Sequence, residues 1–368
     1  MRLRSLDVFR GLAMAAMVIV NNPGDWSTVY APLLHAPWHG WTPTDLIFPA
    51  FLFIVGVSLA QAGPSRQSPG AILGRGAVLV ALGLFLSGFP FFNPDHWRIP
   101  GVLQRIGVCY VTAALVWRAA AVPGDDRSTA RRLVVATASC LLGYWALLGL
   151  VAPPDGVAGD LSAEGNLGAW LDRALFGTHL WKTTWDPEGL LSSLPAVGTT
   201  LMGVTAGLWI RRARPGSGAR PLALVGLAAG LAGLLWGTVF PINKSLWTSS
   251  YALFTGGISL VVLALLHGGL DDGRATPALE RASGPFVTLG RNALLLFVVS
   301  GLLARTLALL MVPGLDGSMV SLQRWVYLAV FAPLAAPASS SLLYAAANLA
   351  GLYGLLAWQD RRRWYWSA

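Results

Sequence analysis

The stretch Thr44-Asp-Leu-Ile-Phe-Pro-Ala-Phe-Leu-Phe-Ile-Val-Gly-Val-Ser-Leu-Ala-Gln-Ala62 carries one charge, at its second residue, followed by an almost unbroken apolar run. As a helix rising 1.5 Å per residue it reaches about 28 Å, close to the roughly 30 Å hydrocarbon core of a bilayer. Comparable runs recur over residues 6–22, 69–89, 100–119, 132–152, 188–210, 221–240, 248–268 and 285–312, with shorter candidates at 319–336 and 340–358. Hydrophobic residues make up 55% of the 368-residue chain and charged residues 12%, with a mean hydropathy of +0.59. A soluble domain carries about 25% charged residues, so a soluble, disordered or collagen-like protein is excluded. The fold class expected is all-α: a polytopic membrane bundle of about ten transmembrane helices forming a single domain over residues 1–368.

The net charge of +9, from 26 Lys+Arg against 17 Asp+Glu, sets the orientation. The arginines sit at the ends of apolar runs, and no soluble basic face exists for nucleic acid. Sorted by alternating sides, most fall on the side of the N-terminus: Arg2, Arg4, Arg10, Arg66, Arg75, Arg118, Arg127, Arg131, Arg132, Arg211, Arg212, Arg214, Arg220, Arg274 and Arg281. The other side collects Arg98, Arg105, Arg173, Lys182 and Lys244. The positive-inside rule then puts both termini in the cytoplasm, with Arg361-Arg362-Arg363 on the same side. That parity demotes 319–336, which contains Gln323, Arg324 and two prolines, to an interfacial or re-entrant helix on the outer side. Asp7 and Arg10 interrupt an apparent signal peptide, and Asn21-Asn22-Pro23 replaces a small-residue cleavage site, so a retained first span is expected. Cys109 and Cys140 lie in apolar runs without CxxC or CxxxH partners, which argues against a disulfide or metal site. Gly203-x-x-x-Gly207 and Gly226-x-x-x-Gly230 suit close helix packing.

Polar residues in or beside spans carry a desolvation cost and mark the candidate site. Asn21, His35, His39 and Asp45 surround the loop between the first two spans. Asp45 can cap the second helix, and His35 can be an ordinary interfacial histidine. The sharper reading is a dyad in which a carboxylate orients a basic imidazole. His39 is the competing base, and a metal held by His35, His39 and Asp45 is a weaker alternative. Arg98-Ile-Pro-Gly-Val-Leu-Gln104-Arg105 puts an arginine one to two turns inside a helix, where a carboxylate or an anion would pair with it. Asp186-Pro-Glu188 opens a span and can serve as a cap. Asn243-Lys244 and Asn292 can be interhelical hydrogen-bonding groups. Taken alone, these residues describe a polar site near the outer face of a membrane protein.

These same stretches resemble a known family. Arg2-Leu-Arg-Ser-Leu-Asp-Val-Phe-Arg-Gly11, Met17-Val-Ile-Val-Asn21, His35-x-x-Trp38-x-Gly40-x-Thr42-x-x-Asp45-Leu-x-Phe48-Pro49, Arg98 to Arg105, Asp186-Pro-Glu-Gly189, Asn243-Lys244-x-Leu-Trp247 and Gly290-x-Asn292 are similar, in order, to the membrane domain of heparan-α-glucosaminide N-acetyltransferases. The animal enzyme's large lumenal domain has no counterpart here, so a bacterial inner-membrane member is expected. The resemblance implies acetyl transfer from cytoplasmic acetyl-CoA, a co-substrate, to an amino sugar or glycan on the periplasmic side. It implies no metal, and its partners are the acceptor and membrane lipid, with a homodimer allowed. His35 is then the base or acetyl carrier, Asp45 its orienter and Asn21 a hydrogen-bonding group. Arg98, Gln104, Arg105, Asp186, Glu188, Asn243, Lys244 and Asn292 are candidates for binding substrate or acetyl-CoA. Arg10, Arg75 and Arg118 are placed to receive phosphates, while Arg105, Glu188 and Asn292 are candidates to line a passage. The competing reading is a transporter of N-acetylglucosamine or a related sugar.

Overall fold

The computed structural model describes residues 3–64, 68–214, 216–273, 275–314 and 317–362. Arg2, Arg66, Arg274 and Arg363, part of the basic excess, lie outside the described residues. The helices are α1 (Arg4–Asn21), α2 (Ile47–Ala62), α3 (Pro69–Gly88), α4 (Val102–Ala120), α5 (Asp126–Leu150), α6 (Leu167–Phe176), α7 (Ser193–Arg212), α8 (Ala219–Trp236), α9 (Ser249–Leu270), α10 (Pro277–Arg291) and α11 (Ala293–Leu309). A small hairpin, β1 (Met311–Pro313) and β2 (Met319–Ser321), leads into α12 (Leu322–Val326) and the final α13 (Pro337–Arg361). The hairpin is antiparallel, with Val312 opposite Val320.

Among the described residues, seven helices are long and apolar enough to span a membrane: α2 with its lead-in turn from Pro43, α3, α5, α7, α8, α9 and α13. The pair α10 and α11 passes the same test together. Helices α1 and α4 have 18 and 19 residues, enough for about 27–28 Å. They carry Arg4, Asp7 and Arg10, and Arg105 and Arg118, and are not among the spans that pass this test, so the count among the described residues is seven, or eight with the bent pair, against the expected figure of about ten. Several helix starts follow from local chemistry. Ser68, Asp125 and Asn166 accept hydrogen bonds from the first-turn amides of Ala71, Ser128 and Ala169, satisfying donors a helix leaves open.

Small residues set the tightest contacts. A Cβ on Gly203 of α7 would lie 2.0 Å from the Phe53 carbonyl oxygen of α2, and one on Gly226 of α8 would lie 2.8 Å from the Gly257 oxygen of α9. Helices α1 and α10 meet in the same way: a Cβ on Gly290 would stand 1.9 Å from the Asp7 oxygen.

Two expectations need correction. Residues 285–312 are not one straight span. The chain is helical from Pro277, bends by 73° at Asn292, and resumes as α11. Gly290 is pressed onto the α1 backbone, and Asn292 leaves helical geometry with its amide donating back to the Thr288 carbonyl at 3.0 Å, so the helix breaks where it docks. Residues 319–336 are not one helix either. They start as β2 and pass through α12, a π-turn (Tyr327–Phe331) and a 3-10 turn (Ala332–Leu334). Pro333 cannot donate to a continuing helix. Arg324 ties α12 to Asp25, in the loop after α1, at 2.6 Å. Hydrogen bonds from Ser27 and Arg324 hold the Asp25 carboxyl down at about 2.

Successive helices alternate between two ends of the bundle. At one, Arg118 donates to the Pro64 carbonyl, Arg211 to that of Ala60, and Arg4 to Ser283 Oγ and the Glu280 carbonyl. The opposite end carries His35, Asp45 and Glu188.

Candidate active site

The loop joining α1 to α2 folds back so that His35 meets Asp45, with Nδ1 to Oδ1 at 2.6 Å. Asp45 is 1% exposed. Its other oxygen accepts the backbone amides of Ala36 (3.1 Å) and Thr42 (2.9 Å). Asp45 therefore closes the turn that starts α2 and also orients a histidine. Tyr251 on α9 fixes its backbone by donating to the Asp45 carbonyl at 2.5 Å. With Nδ1 directed at the carboxylate, His35 keeps an Nε2 lone pair for a substrate proton. The imidazole is half exposed and opens onto a cavity of about 970 Å³. His39 turns to Asn243 at 3.3 Å instead, so His35, His39 and Asp45 do not converge on a common point.

The cavity runs from one end of the bundle to the other. Asn21, His35, Thr44, Glu188 and Lys244 surround its first end, and Arg10, Ser58, Arg75 and Arg291 its second. Between them the wall is apolar, with Met14, Met17, Phe51, Ile54, Ile106 and Phe297 among its residues. Asn21, the last residue of α1, and Thr44, in the lead-in turn of α2, bracket His35. At the arginine end, Arg10 donates to Ser58 Oγ (2.8 Å) and to the Gly290 carbonyl (3.3 Å). Arg10 and Arg291 approach the buried Asp7 at 3.6 and 4.0 Å. Arg118 stays outside the cavity on the Pro64 carbonyl.

Glu188 reaches the cavity from a braced loop. Arg98 grips Asp186 with two hydrogen bonds (2.8 and 2.6 Å) and also donates to Glu188. Trp181 lies 5.0 Å from the Arg98 guanidinium, and its amide donates to Asp186 at 2.7 Å. Burial opposes the Glu188 charge, but the fields of Arg98, Lys244 and Arg105 outweigh it and keep this carboxyl below its usual range. Burial also works against Arg98, and its bond to Asp186 together with the charge of Glu188 holds the guanidinium protonated. Arg105 is 2% exposed. It donates to the Gly189 carbonyl at 2.8 Å and to Ser192 Oγ, and rests 5.2 Å from the Trp247 ring.

Of the binding candidates read from sequence, Glu188 and Lys244 line the cavity. Arg98, Gln104, Arg105, Asp186, Asn243 and Asn292 stand behind it. Gln104 donates to the Ile99 carbonyl. Asn243 is fully buried and accepts the Leu246 amide at 2.8 Å. Asn292 sits at the helix break. Two residues escaped the sequence reading. Arg291 lies inside the Gly290-x-Asn292 match, at the position that match skips. Asp172 on α6 is 3% exposed and accepts the Leu190 amide at 2.8 Å. Burial and the nearby Asp186 charge push its carboxyl up to about 6. No sequence pattern marks Asp172, since α6 falls in a loop between spans.

Residues 2–142 match the family described as "Heparan-alpha-glucosaminide N-acetyltransferase, catalytic". Proteins named heparan-alpha-glucosaminide N-acetyltransferase from Homo sapiens and Mus musculus are 29% and 30% identical to the chain, over 355 and 358 residues. The chain is similar to this family at both levels. The alignments cover 81% of it in both cases, and 52% and 53% of the human and mouse relatives. The chain thus spans about half the length of the curated relatives it matches. The N-acetyltransferase family match covers α1 to α4 and the first part of α5, and so includes Asn21, the His35–Asp45 pair, Arg10, Arg75 and Arg98.

Proposed function

We propose that this chain is a membrane-embedded acetyltransferase that takes acetyl from cytoplasmic acetyl-CoA and delivers it to an amino sugar or glycan on the periplasmic side of a bacterial inner membrane. One observation carries this reading: an oriented histidine and a cluster of arginines line opposite ends of one bundle-length cavity. The polyphosphate part of acetyl-CoA is too charged to enter hydrocarbon, and Arg10, Arg75 and Arg291 offer it guanidinium groups at the basic end. The apolar middle suits the uncharged arm, which brings the thioester toward His35. The positive-inside rule makes the arginine end cytoplasmic, with both termini on that side.

At the opposite end, Glu188 holds the acceptor's amino group and Asn21 hydrogen-bonds the thioester carbonyl. His35 Nε2 takes the proton from the acceptor nitrogen as that nitrogen attacks, and Asp45 stabilises the imidazolium. His35 then returns the proton to the departing sulfur. Arg98 and Asp186 act by holding Glu188 in place.

Protein purified in detergent is expected to transfer radiolabelled acetyl from acetyl-CoA to glucosamine, and His35→Ala to abolish the transfer. Full activity in that variant would reject the site. Uptake of labelled N-acetylglucosamine by vesicles without acetyl-CoA, and no transfer, would favour the transporter reading instead.

A further inference from the structure

Lys244 has no assigned role in this scheme beyond lining the cavity. Its ammonium makes no hydrogen bond or ion pair among the described residues, although Glu188 lies within its field. Glu188 does not need it as a partner, because Arg98 already bonds that carboxylate. The backbone beneath Lys244 is locked. Asn243 accepts the Leu246 amide, the Trp247 amide donates to the Lys244 carbonyl at 3.1 Å, and Thr248 closes the turn on Asn243. Trp247 is fully buried and adopts a positive φ of 50°, a conformation non-glycine residues rarely take. This turn is stitched to the histidine loop by the Gly40 amide on the Ile242 carbonyl (2.7 Å), by Asn243 to His39, and by Tyr251 to Asp45.

The geometry points to Lys244 as a catalytic residue whose ammonium stabilises the oxyanion formed when the acceptor attacks the thioester. The assignment rests on the acetyl-transfer reading. As the acceptor nitrogen bonds to the acetyl carbon, the carbonyl π pair moves onto oxygen and His35 takes the nitrogen's proton. Collapse of the tetrahedral species breaks the carbon–sulfur bond, the electron pair leaves on sulfur, and His35 gives it the proton. Products are the N-acetyl sugar and free coenzyme A thiol. A cation carried on a braced turn at the His35 end of the cavity favours the oxyanion over the neutral thioester.

Lys244→Met is expected to lower kcat by about 100-fold or more, the usual effect of deleting an oxyanion group. The KM values for acetyl-CoA and glucosamine should stay within about threefold, because the ground state carries no oxyanion. Lys244→Arg should recover at least about a tenth of the activity, and calorimetric binding of acetyl-CoA should be unaffected in both. If Lys244→Met does not purify in folded form, Lys244→Gln and Lys244→Arg carry the comparison. An unchanged kcat, or a loss confined to the glucosamine KM, would overturn the assignment. Absence of acetyl transfer in the wild-type protein would overturn the parent reading, and this one with it.

Discussion

At the residue scale, Asp45 does two jobs with two oxygens. One accepts His35 Nδ1, while the other gathers the Ala36 and Thr42 amides. Asp45→Asn preserves the shape and removes the charge, and so separates the two. We expect kcat to fall between about 10²- and 10⁴-fold, the usual share of an oriented acid–base group. The fold should lose about 1–3 kcal/mol, since charge-assisted hydrogen bonds to a buried carboxylate are weakened. Steady-state kinetics and thermal melting read the two effects independently. Wild-type kcat in this variant would mean that Asp45 is only a cap. From sequence, the ten-residue separation of His35 and Asp45 permits contact without demanding it. Contact is made because Tyr251, more than two hundred residues away, pins the turn from another helix.

At the element scale, α6 and the α10–α11 break decide how the cavity is built. Asp172 on α6 holds the Leu190 amide next to the loop that carries Glu188. Its carboxyl is raised from 3.8 to about 6, so folding favours the protonated form. The associated stability is fully present below about pH 4 and is lost as pH rises through 6. A shift of about two units corresponds to about 3 kcal/mol. Asp172→Asn keeps an oxygen for Leu190 and cannot ionise. It should melt higher than wild type at pH 7.5 and equally at pH 4, and equal melting at both would remove burial as the cause. The helix break has its own test. Gly290→Leu inserts a side chain where even a Cβ lies 1.9 Å from the Asp7 oxygen. It should cost at least about 1–3 kcal/mol by overpacking and weaken acetyl-CoA binding, because Arg10 bonds the Gly290 carbonyl. A variant with wild-type melting and donor affinity would show that this contact is soft. Neither element was legible in the sequence. A short amphipathic helix in a loop has no 20-residue signature, and a bend in an apolar run leaves hydropathy unchanged.

At the scale of the whole molecule, the cavity joins two chemistries at opposite ends of the bundle. Replacing Arg10 and Arg291 together by Ala should raise the acetyl-CoA KM at least about tenfold and leave kcat within a few-fold, since charge-assisted hydrogen bonds contribute about 1.5–3 kcal/mol each. In right-side-out vesicles, acetyl-CoA should support transfer only when loaded inside. Consumption of external acetyl-CoA by sealed vesicles would reverse the proposed orientation. The ends themselves were readable in sequence, because positive charge is distributed unevenly along the chain. Their connection was not, because which faces of α1, α2 and their neighbours stay open to one cavity depends on how the helices pack.

Hydropathy and charge were enough to specify an all-helical membrane chain with most of its crossings, and the ordered motifs were enough to point to the family it resembles. Those properties depend on local composition, which each segment carries whatever its neighbours do. Which polar residues face the cavity was decided by packing. Glu188 and Lys244 line it while Arg98, Arg105 and Asn243 brace it, and Arg291 joins Arg10 and Arg75 at the far end. A buried charge must find its partner wherever the fold supplies one, and the glycine contacts between helices determine where that is.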